Sequence, residues 1–268
     1  MNETRAGLAL LARTGSIRLP QKSLLEVCGR SVLAHQIDRL KLSRRACPLV
    51  LATSTLPGDE VLCAIARAAG IVTFQGAIHD VVQRLSDVAD RFQLEFLAVA
   101  GGDDVFCEGE FVDAVITEYE QKKADFIMIE GLPFGTTPFG VSTAGLRRVL
   151  EIRADDNTDG WERFFTDTGL FRIATIKVSE PLLCHPEIRL DLDYPEDFEL
   201  VKAIYQRLYQ PGQVPTLRRV LRLLLEEDPT LAQINRAAHE KCLKNRATVW
   251  PQLRLKEGIR PTSNQDKT

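Results

Sequence analysis

The period of apolar and polar positions changes repeatedly along this chain. Residues 8–11 (LALL) are an unbroken apolar run, which predicts a short buried strand. Leu33, Ile37 and Leu40 then recur at helical spacing, and residues 48–53 (PLVLAT) predict a second buried strand. Residues 59–69 predict an amphipathic helix, with Val61, Leu62, Ile65, Ala66 and Ala69 on one face and Gly70 as its stop. Residues 71–74 predict a third strand, Val81, Leu85, Val88 and Phe92 the next helix, and residues 96–100 a fourth strand. A helix over 109–121, built on Phe111, Val112, Val115, Ile116 and Tyr119, leads to a strand over 125–130. Strands that alternate with helices at this rhythm predict an α/β fold with a mostly parallel sheet covered on both faces.

The second half is less regular. Residues 131–140 (GLPFGTTPFG) carry too much Gly and Pro for a regular element and read as a loop, either over a substrate pocket or as an ordinary connection. Leu146, Val149 and Leu150 predict a short helix, residues 159–165 (DGWERFF) another, and residues 170–178 a strand. Residues 188–197 (IRLDLDYPED) lead into a helix carried by Phe198, Val201, Ile204, Tyr205 and Leu208, with Pro195, Glu196 and Asp197 suited to its first turn. After residue 209, PGQVPT reads as a linker to a helical appendage with apolar stripes at Leu217, Val220, Leu221, Leu224 and Leu225, and at Leu231, Ile234 and Ala238. Three parts follow: a main domain over 1–209, the appendage over 210–256, and a polar tail over 257–268 expected to be disordered.

Composition narrows the function classes. With 44% hydrophobic residues among 268, a sizeable core is available, while 26% charged residues and a formal net charge of -3 argue against a nucleic-acid binder or a polybasic membrane-surface protein. No apolar run approaches the roughly 20 residues that span a bilayer, and no secretory leader is evident, so a cytoplasmic protein is expected. The six cysteines, Cys28, Cys47, Cys63, Cys107, Cys184 and Cys242, form no C-x-x-C pair and are expected to be reduced and buried.

The chemistry gathers at the end of the first predicted strand, in LALLARTGSIRLPQK over 8–22. Gly15 and Ser16 permit a tight loop, around which Arg13, Arg18 and Lys22 concentrate positive charge. Arg grips phosphate oxygens as a planar fork and Lys as a mobile point charge, so this loop suits a polyphosphate. It is not a Walker A loop, because the GxxxxGK[ST] spacing is missing. Two acidic clusters could meet it: Asp103 and Asp104 directly after the fourth strand, and Asp191 and Asp193 further on. One carboxylate from each would hold Mg2+, which prefers one or two carboxylates with phosphate and water oxygens.

Read as A-R-x-G-S-x-R-L-P-x-K, Ala12 to Lys22 resembles the nucleotide-triphosphate loop of the cytidylyltransferases that activate acidic sugars, the acylneuraminate and CMP-KDO synthetase-like enzymes, and above all their spore-coat-polysaccharide SpsF-like branch. The resemblance runs in order over most of residues 8–209. Gly102-Asp103 resembles the family's Gly-Asp after its strand, and Asp193-Tyr-Pro-Glu-Asp197 its D-T-P-E-D segment, whose first Asp binds metal; this implies Asp103 and Asp193 as metal ligands, with Asp104 and Asp191 as second choices. Asp197 is expected to serve the following helix N-terminus. Thr53-Ser54 and GAIHDVVQR over 76–84 also resemble family segments, which makes Thr53, Asp80 and Arg84 candidates near nucleotide or acceptor, with a helix-end salt bridge as the other reading of Asp80 and Arg84. There are two departures. The proline common after the acidic motif is absent from Asp103-Asp104-Val105-Phe106, and residues 131–180 match only loosely.

The resemblance implies a Rossmann-like, glycosyltransferase-A-type sheet and transfer of a nucleoside monophosphate, CMP from CTP in the first instance, with Mg2+-dependent release of pyrophosphate. Arg13 and Lys22 are the expected catalytic cations; Leu11, Ala12, Gly15, Ser16 and Arg18 complete the nucleotide loop. The expected partners are a nucleoside triphosphate and a sugar-type acceptor, with a homodimer contact over 131–180 and neither nucleic acid nor membrane. Two rivals differ in kind. A metal-dependent glycosyltransferase would use Asp191-Leu-Asp193 as its D-x-D; a catalytically silent assembly subunit would keep the fold alone.

Overall fold

The structure, a computed structural model, describes residues 4–249 and 253–259. The chain runs β1 (Ala6–Leu11), the short paired strands β2 (Glu26–Val27) and β3 (Arg30–Ser31), α1 (Val32–Leu40), β4 (Leu49–Ser54), α2 (Glu60–Ala68), β5 (Val72–Gly76), α3 (Val81–Arg91) and β6 (Phe96–Gly101). It continues through α4 (Gly109–Lys122), β7 (Phe126–Glu130), β8 (Phe139–Ser142), α5 (Thr143–Ile152), α6 (Arg163–Thr166) and β9 (Ile173–Lys177). The last elements are α7 (Pro195–Leu208), α8 (Leu217–Arg222) and α9 (Arg236–Val249).

Among the described residues, seven strands form one sheet in the order β5-β4-β1-β6-β8-β7-β9. All pairings are parallel except those of β8, which runs antiparallel to β6 and to β7. Successive side chains of a strand point to opposite faces, and β1 shows the consequence. Leu8 and Leu10 enter an apolar cluster with Leu33 and Ile37 of α1 and Val112 of α4, whereas Ala9 enters a second with Leu85 of α3 and Val149 of α5. An unbroken apolar run is what a strand buried on both faces requires.

Several expected elements are corrected. Residues 131–140 are not all loop: Phe139 and Gly140 open β8. A Cβ on Gly140 would come within 2.5 Å of the Phe96 ring, so this glycine marks close packing inside a sheet and not a break in one. The helix expected over 159–165 is only the single turn of α6, preceded by a turn through Asp159 and Gly160. On α2 the buried face is Leu62, Cys63 and Ala66, and Val61 is exposed. Only Cys63 and Cys107 are buried; Cys28, Cys47 and Cys184 are exposed.

Of the helical appendage, Leu217, Val220, Leu221 and Leu224 join the same cluster as Leu8, and Leu231 and Ala238 are buried while Ile234 is exposed. Leu253, Leu255 and Ile259 pack against the cluster on the other face, with the Ala154 N–H donating to the Arg254 carbonyl at 2.9 Å. Of the polar tail expected over 257–268, residues 260–268 lie outside the described residues. No described helix is long and apolar enough to cross a membrane.

Candidate active site

The strand order brings the cationic loop to the acidic one. From β1 the chain steps outward on one side to β4 and β5, then returns to the other side of β1 as β6, which makes the gap between the carboxyl ends of β1 and β6 the switch point of the sheet. Leu11 and Gly101 are paired in register there, and the Gly102 N–H donates to the Leu11 carbonyl at 2.7 Å. A buried carboxylate fixes the start of the cationic loop: Asp59 accepts from the Thr14 N–H at 2.8 Å, the Thr14 hydroxyl at 2.7 Å and the Thr53 hydroxyl at 3.0 Å, and from the Ser54 hydroxyl. Burial by itself would raise the Asp59 carboxyl; the hydrogen bonds from Ser54, Thr14 and Thr53 outweigh it and hold Asp59 below the usual carboxylate range.

Opposite charges meet at the mouth of this switch point. Lys22 Nζ lies 2.9 Å from Asp103 Oδ2 and 2.7 Å from Asp193 Oδ1, and Arg18 is hydrogen-bonded to the other oxygen of Asp193. Asp191 joins them: one oxygen each from Asp103, Asp191 and Asp193 lies within 4.8 Å of the others. Arg13 pairs with Asp159 at 3.1 Å across the cleft. Asp191 is held from behind by the buried Arg189, which bonds it at 3.0 Å and both oxygens of Asp197 at 2.8 and 2.9 Å. Asp197 in turn accepts from the backbone N–H groups of Asp193 and Tyr194 and from the Asn235 amide, all at 2.9 Å.

The electrostatics follow from this crowding. Burial would lower Lys22, but Asp103, Asp193 and Asp191 together hold it well above the ordinary lysine range, so it is a permanent cation. Asp103 gains from the same contact: burial raises it, and Lys22 more than reverses that. Asp191 goes the other way, pushed well up by burial and by the charges of Asp103 and Asp193 despite Arg189. Asp104 is pushed up by burial and Asp103, and its carboxylate accepts from the Gly101 N–H at 2.9 Å. Three hard oxygen donors that repel one another fit a Mg2+ seat.

Two cavities open from the cluster. One, of about 700 Å³, is lined by all seven residues expected in the nucleotide loop between Leu11 and Lys22, together with Asp103, Asp193 and Lys241. The other, of about 590 Å³, lies beneath the 131–138 loop and is lined by Leu132, Phe134, Phe139, Trp161 and the three clustered aspartates, with Cys242 at its edge. Three expected site residues line neither. Thr53 is fully buried against Asp59. Asp80 caps α3 through the Gln83 N–H and binds Thr158 and Arg153; Arg84 donates to the carbonyls of Ala77 and Ile78. Neither cavity includes these three side chains, and the other reading, a salt bridge between Asp80 and Arg84, is not formed among the described residues: Asp80 pairs with Arg153.

Sequence reasoning missed Asp59, Asp159, Arg189, Asn235 and Lys241. For Arg189 a signal existed: Arg189, Asp191 and Asp193 alternate with apolar residues at period two, which puts all three on one side of an extended segment. For Asp159 the signal was masked by the apolar WERFF that follows it. Nothing local marks Asn235 or Lys241, which lie far along the chain from their partners.

A family model for cytidylyltransferases matches residues 9–155. Over 230 residues, 82% of this chain and 94% of the relative, the chain is 27% identical to the spore coat polysaccharide biosynthesis protein SpsF of Bacillus subtilis (strain 168). Among solved structures, a cytidylyltransferase from Leptospira borgpetersenii serovar Hardjo-bovis (strain JB197) aligns with a TM-score of 0.75 at 20% identity, covering 86% of this chain and 97% of that one. A CMP:2-keto-3-deoxy-manno-octonic acid synthetase complexed with CTP aligns with a TM-score of 0.58 at 14% identity, over 76% of this chain and 99% of that one. The structural likenesses carry the fold, a mostly parallel Rossmann-like sheet with flanking helices. The family model ends before Asp191, Asp193 and α9 are reached.

Proposed function

Because the chain belongs to the cytidylyltransferase family, we propose that this nucleotidyltransferase moves CMP from CTP, with release of pyrophosphate, to a sugar acid, sugar phosphate or related acceptor in surface polysaccharide or glycoconjugate synthesis. One observation carries the reading: Arg18 and Lys22 from the loop after β1 meet Asp103, Asp191 and Asp193 at the switch point of the sheet. The mutual pairing of these charges is suited to exchange. On nucleotide binding the cations would pass from the carboxylates to phosphate oxygens, leaving Asp103, Asp191 and Asp193 free to hold Mg2+, so that no charge need be left buried without a partner.

In the proposed reaction an acceptor oxygen, ionised already in a phosphate or giving up its proton to water in a hydroxyl, attacks the α-phosphorus in line, the new oxygen–phosphorus bond forms, and the bond to the β-phosphate oxygen breaks. Arg13, Arg18 and Lys22 hold the phosphates and take up the charge that develops on the departing pyrophosphate. Asp103 and Asp193, with Asp191 beside them, would hold Mg2+, which would neutralise the phosphates and lower the cost of bringing the acceptor oxygen near. Arg189 keeps Asp191 aimed at the cluster, and Asp59 keeps the cationic loop from swinging away. The aromatic cavity under the 131–138 loop takes the acceptor.

The test is pyrophosphate release from CTP, GTP, UTP and ATP with Mg2+ and a panel of sugar acids and sugar phosphates. Acceptor-dependent release from CTP is expected. Absence of pyrophosphate from every triphosphate and acceptor, in a protein that is folded, contradicts the reading.

A further inference from the structure

We propose that Lys241, from the C-terminal helix α9, is a polyphosphate-binding residue of the active site, contacting the β- and γ-phosphates of the nucleotide and then the departing pyrophosphate. The inference rests on the nucleotidyltransferase reading above and extends the site to a helix that lies outside the family-model match.

Position comes first. Lys241 lines the cleft of about 700 Å³ that holds Gly15, Ser16, Arg18 and Lys22, and it does not line the aromatic cavity on the acceptor side, to which α9 contributes Cys242 instead. Its ammonium sits 5.3 Å from the centre of the Tyr194 ring. The Arg18 guanidinium lies 5.7 Å from the same ring, so the cation from α9 and the cation from the phosphate loop converge on the residue next to Asp193.

Availability comes second. Every other cation around the cluster is engaged: Arg13 with Asp159, Arg18 with Asp193, Lys22 with Asp103 and Asp193, Arg189 with Asp191 and Asp197. Lys241 has no ion pair with any carboxylate among the described residues. A triphosphate brings about four negative charges against three loop cations, and the clustered aspartates offset much of what Mg2+ would add; a lysine held against an aromatic face is a ready point charge for phosphate.

Anchorage comes third. A helix places a side chain accurately only if its start is fixed. Asn235, buried immediately before α9, donates to the Arg189 carbonyl at 3.0 Å and to Asp197 Oδ1 at 2.9 Å. These are the residues that position Asp191 and Asp193, so α9 takes its place from the same network as the metal-binding carboxylates. Lys241 follows six residues on, about 9 Å along the helix axis.

The experiment is calorimetric titration of CTP, CMP and inorganic pyrophosphate, each with Mg2+, into the wild-type protein and the Lys241→Gln, Lys241→Arg and Lys244→Gln variants. A lost charge-assisted contact predicts CTP and pyrophosphate binding about tenfold weaker in K241Q. CMP binding stays unchanged, K241R recovers most of the loss, and K244Q, an exposed lysine of the same helix that lines neither cavity, matches wild type. Lys241 is exposed, so the thermal midpoint of K241Q should equal that of wild type. Equal CTP binding in K241Q and wild type overturns the inference alone, as does an equal loss for CTP and CMP, which marks a structural role. A wild type that binds neither CTP nor pyrophosphate overturns the nucleotidyltransferase reading, and this inference falls with it.

Discussion

Lys22 stands where a divalent cation would stand, bridging Asp103 and Asp193 at 2.9 and 2.7 Å. On the proposed reading it would compete with a metal ion for these carboxylates until a nucleotide drew it away. Replacing it by glutamine is expected to tighten Mn2+ binding in the absence of nucleotide by about tenfold, and to weaken CTP binding by at least as much. Electron paramagnetic resonance titration of Mn2+ reads the first effect, and unchanged Mn2+ affinity in K22Q refutes the competition. Asp59 acts on the loop from below. Its replacement by alanine leaves the Thr14 N–H and the Thr14, Thr53 and Ser54 hydroxyls without their acceptor, at an expected cost of about 3 kcal/mol in urea unfolding. A loss below about 0.5 kcal/mol would show that water replaces Asp59 freely. At this scale the cations of the loop were legible from their residue types. Asp59 was not, because a lone Asp before a helix reads as a cap whatever else it binds.

Among the elements, the 131–138 loop is held over its cavity by backbone pairing with residues 188–190: the Phe134 N–H donates to the Ile188 carbonyl and the Leu190 N–H to the Phe134 carbonyl, both at 2.8 Å. Gly135 makes the contact possible, with φ of 83° and its missing Cβ 2.4 Å from the Asp191 Cα. Gly135→Ala is expected to lower stability by about 2 kcal/mol and to lower kcat/KM for the acceptor while CTP binding survives. Loss of CTP and acceptor recognition together would contradict the separate roles assigned to the two cavities. Elements in the first half were legible because each had a clean period. β8 was not, since close packing at Gly140 removes the apolar side chain that would have marked a strand. His35 joins α1 to α7: its Nε2 lies 2.9 Å from the Val27 carbonyl, and its ring packs 4.4 Å from Tyr205 and 5.0 Å from Tyr209. Burial, only partly offset by the Val27 carbonyl, lowers its pKa below the ordinary value near 6.5. The unfolded chain then binds the proton more readily than the folded one, so stability falls as pH drops below about 6.5 and levels off once the folded pKa is passed. Thermal midpoints measured from about pH 7.5 down to about 5.5 should decline. The decline should shrink in His35→Gln.

Across the whole molecule, the site is a product of strand order. The residues that meet at the switch point come from the ends of β1 and β6, from the segment before α7 and from α9, and only the first three carry a local motif. Fold class and the acidic and cationic partners could thus be read from short stretches. The contribution of α9 and of the residue before it could not, because Asn235 and Lys241 reach Arg189, Asp197 and Tyr194 only through the folded chain. The most direct test of the charge-exchange account is calorimetric titration of CTP, with and without Mg2+, into the wild-type protein and an Asp103→Asn/Asp193→Asn double variant. Saturable binding that requires Mg2+ and is lost in the variant, whose thermal midpoint stays within a few degrees of wild type, is the result the account predicts. Binding of equal strength without Mg2+, or in the double variant, would contradict it.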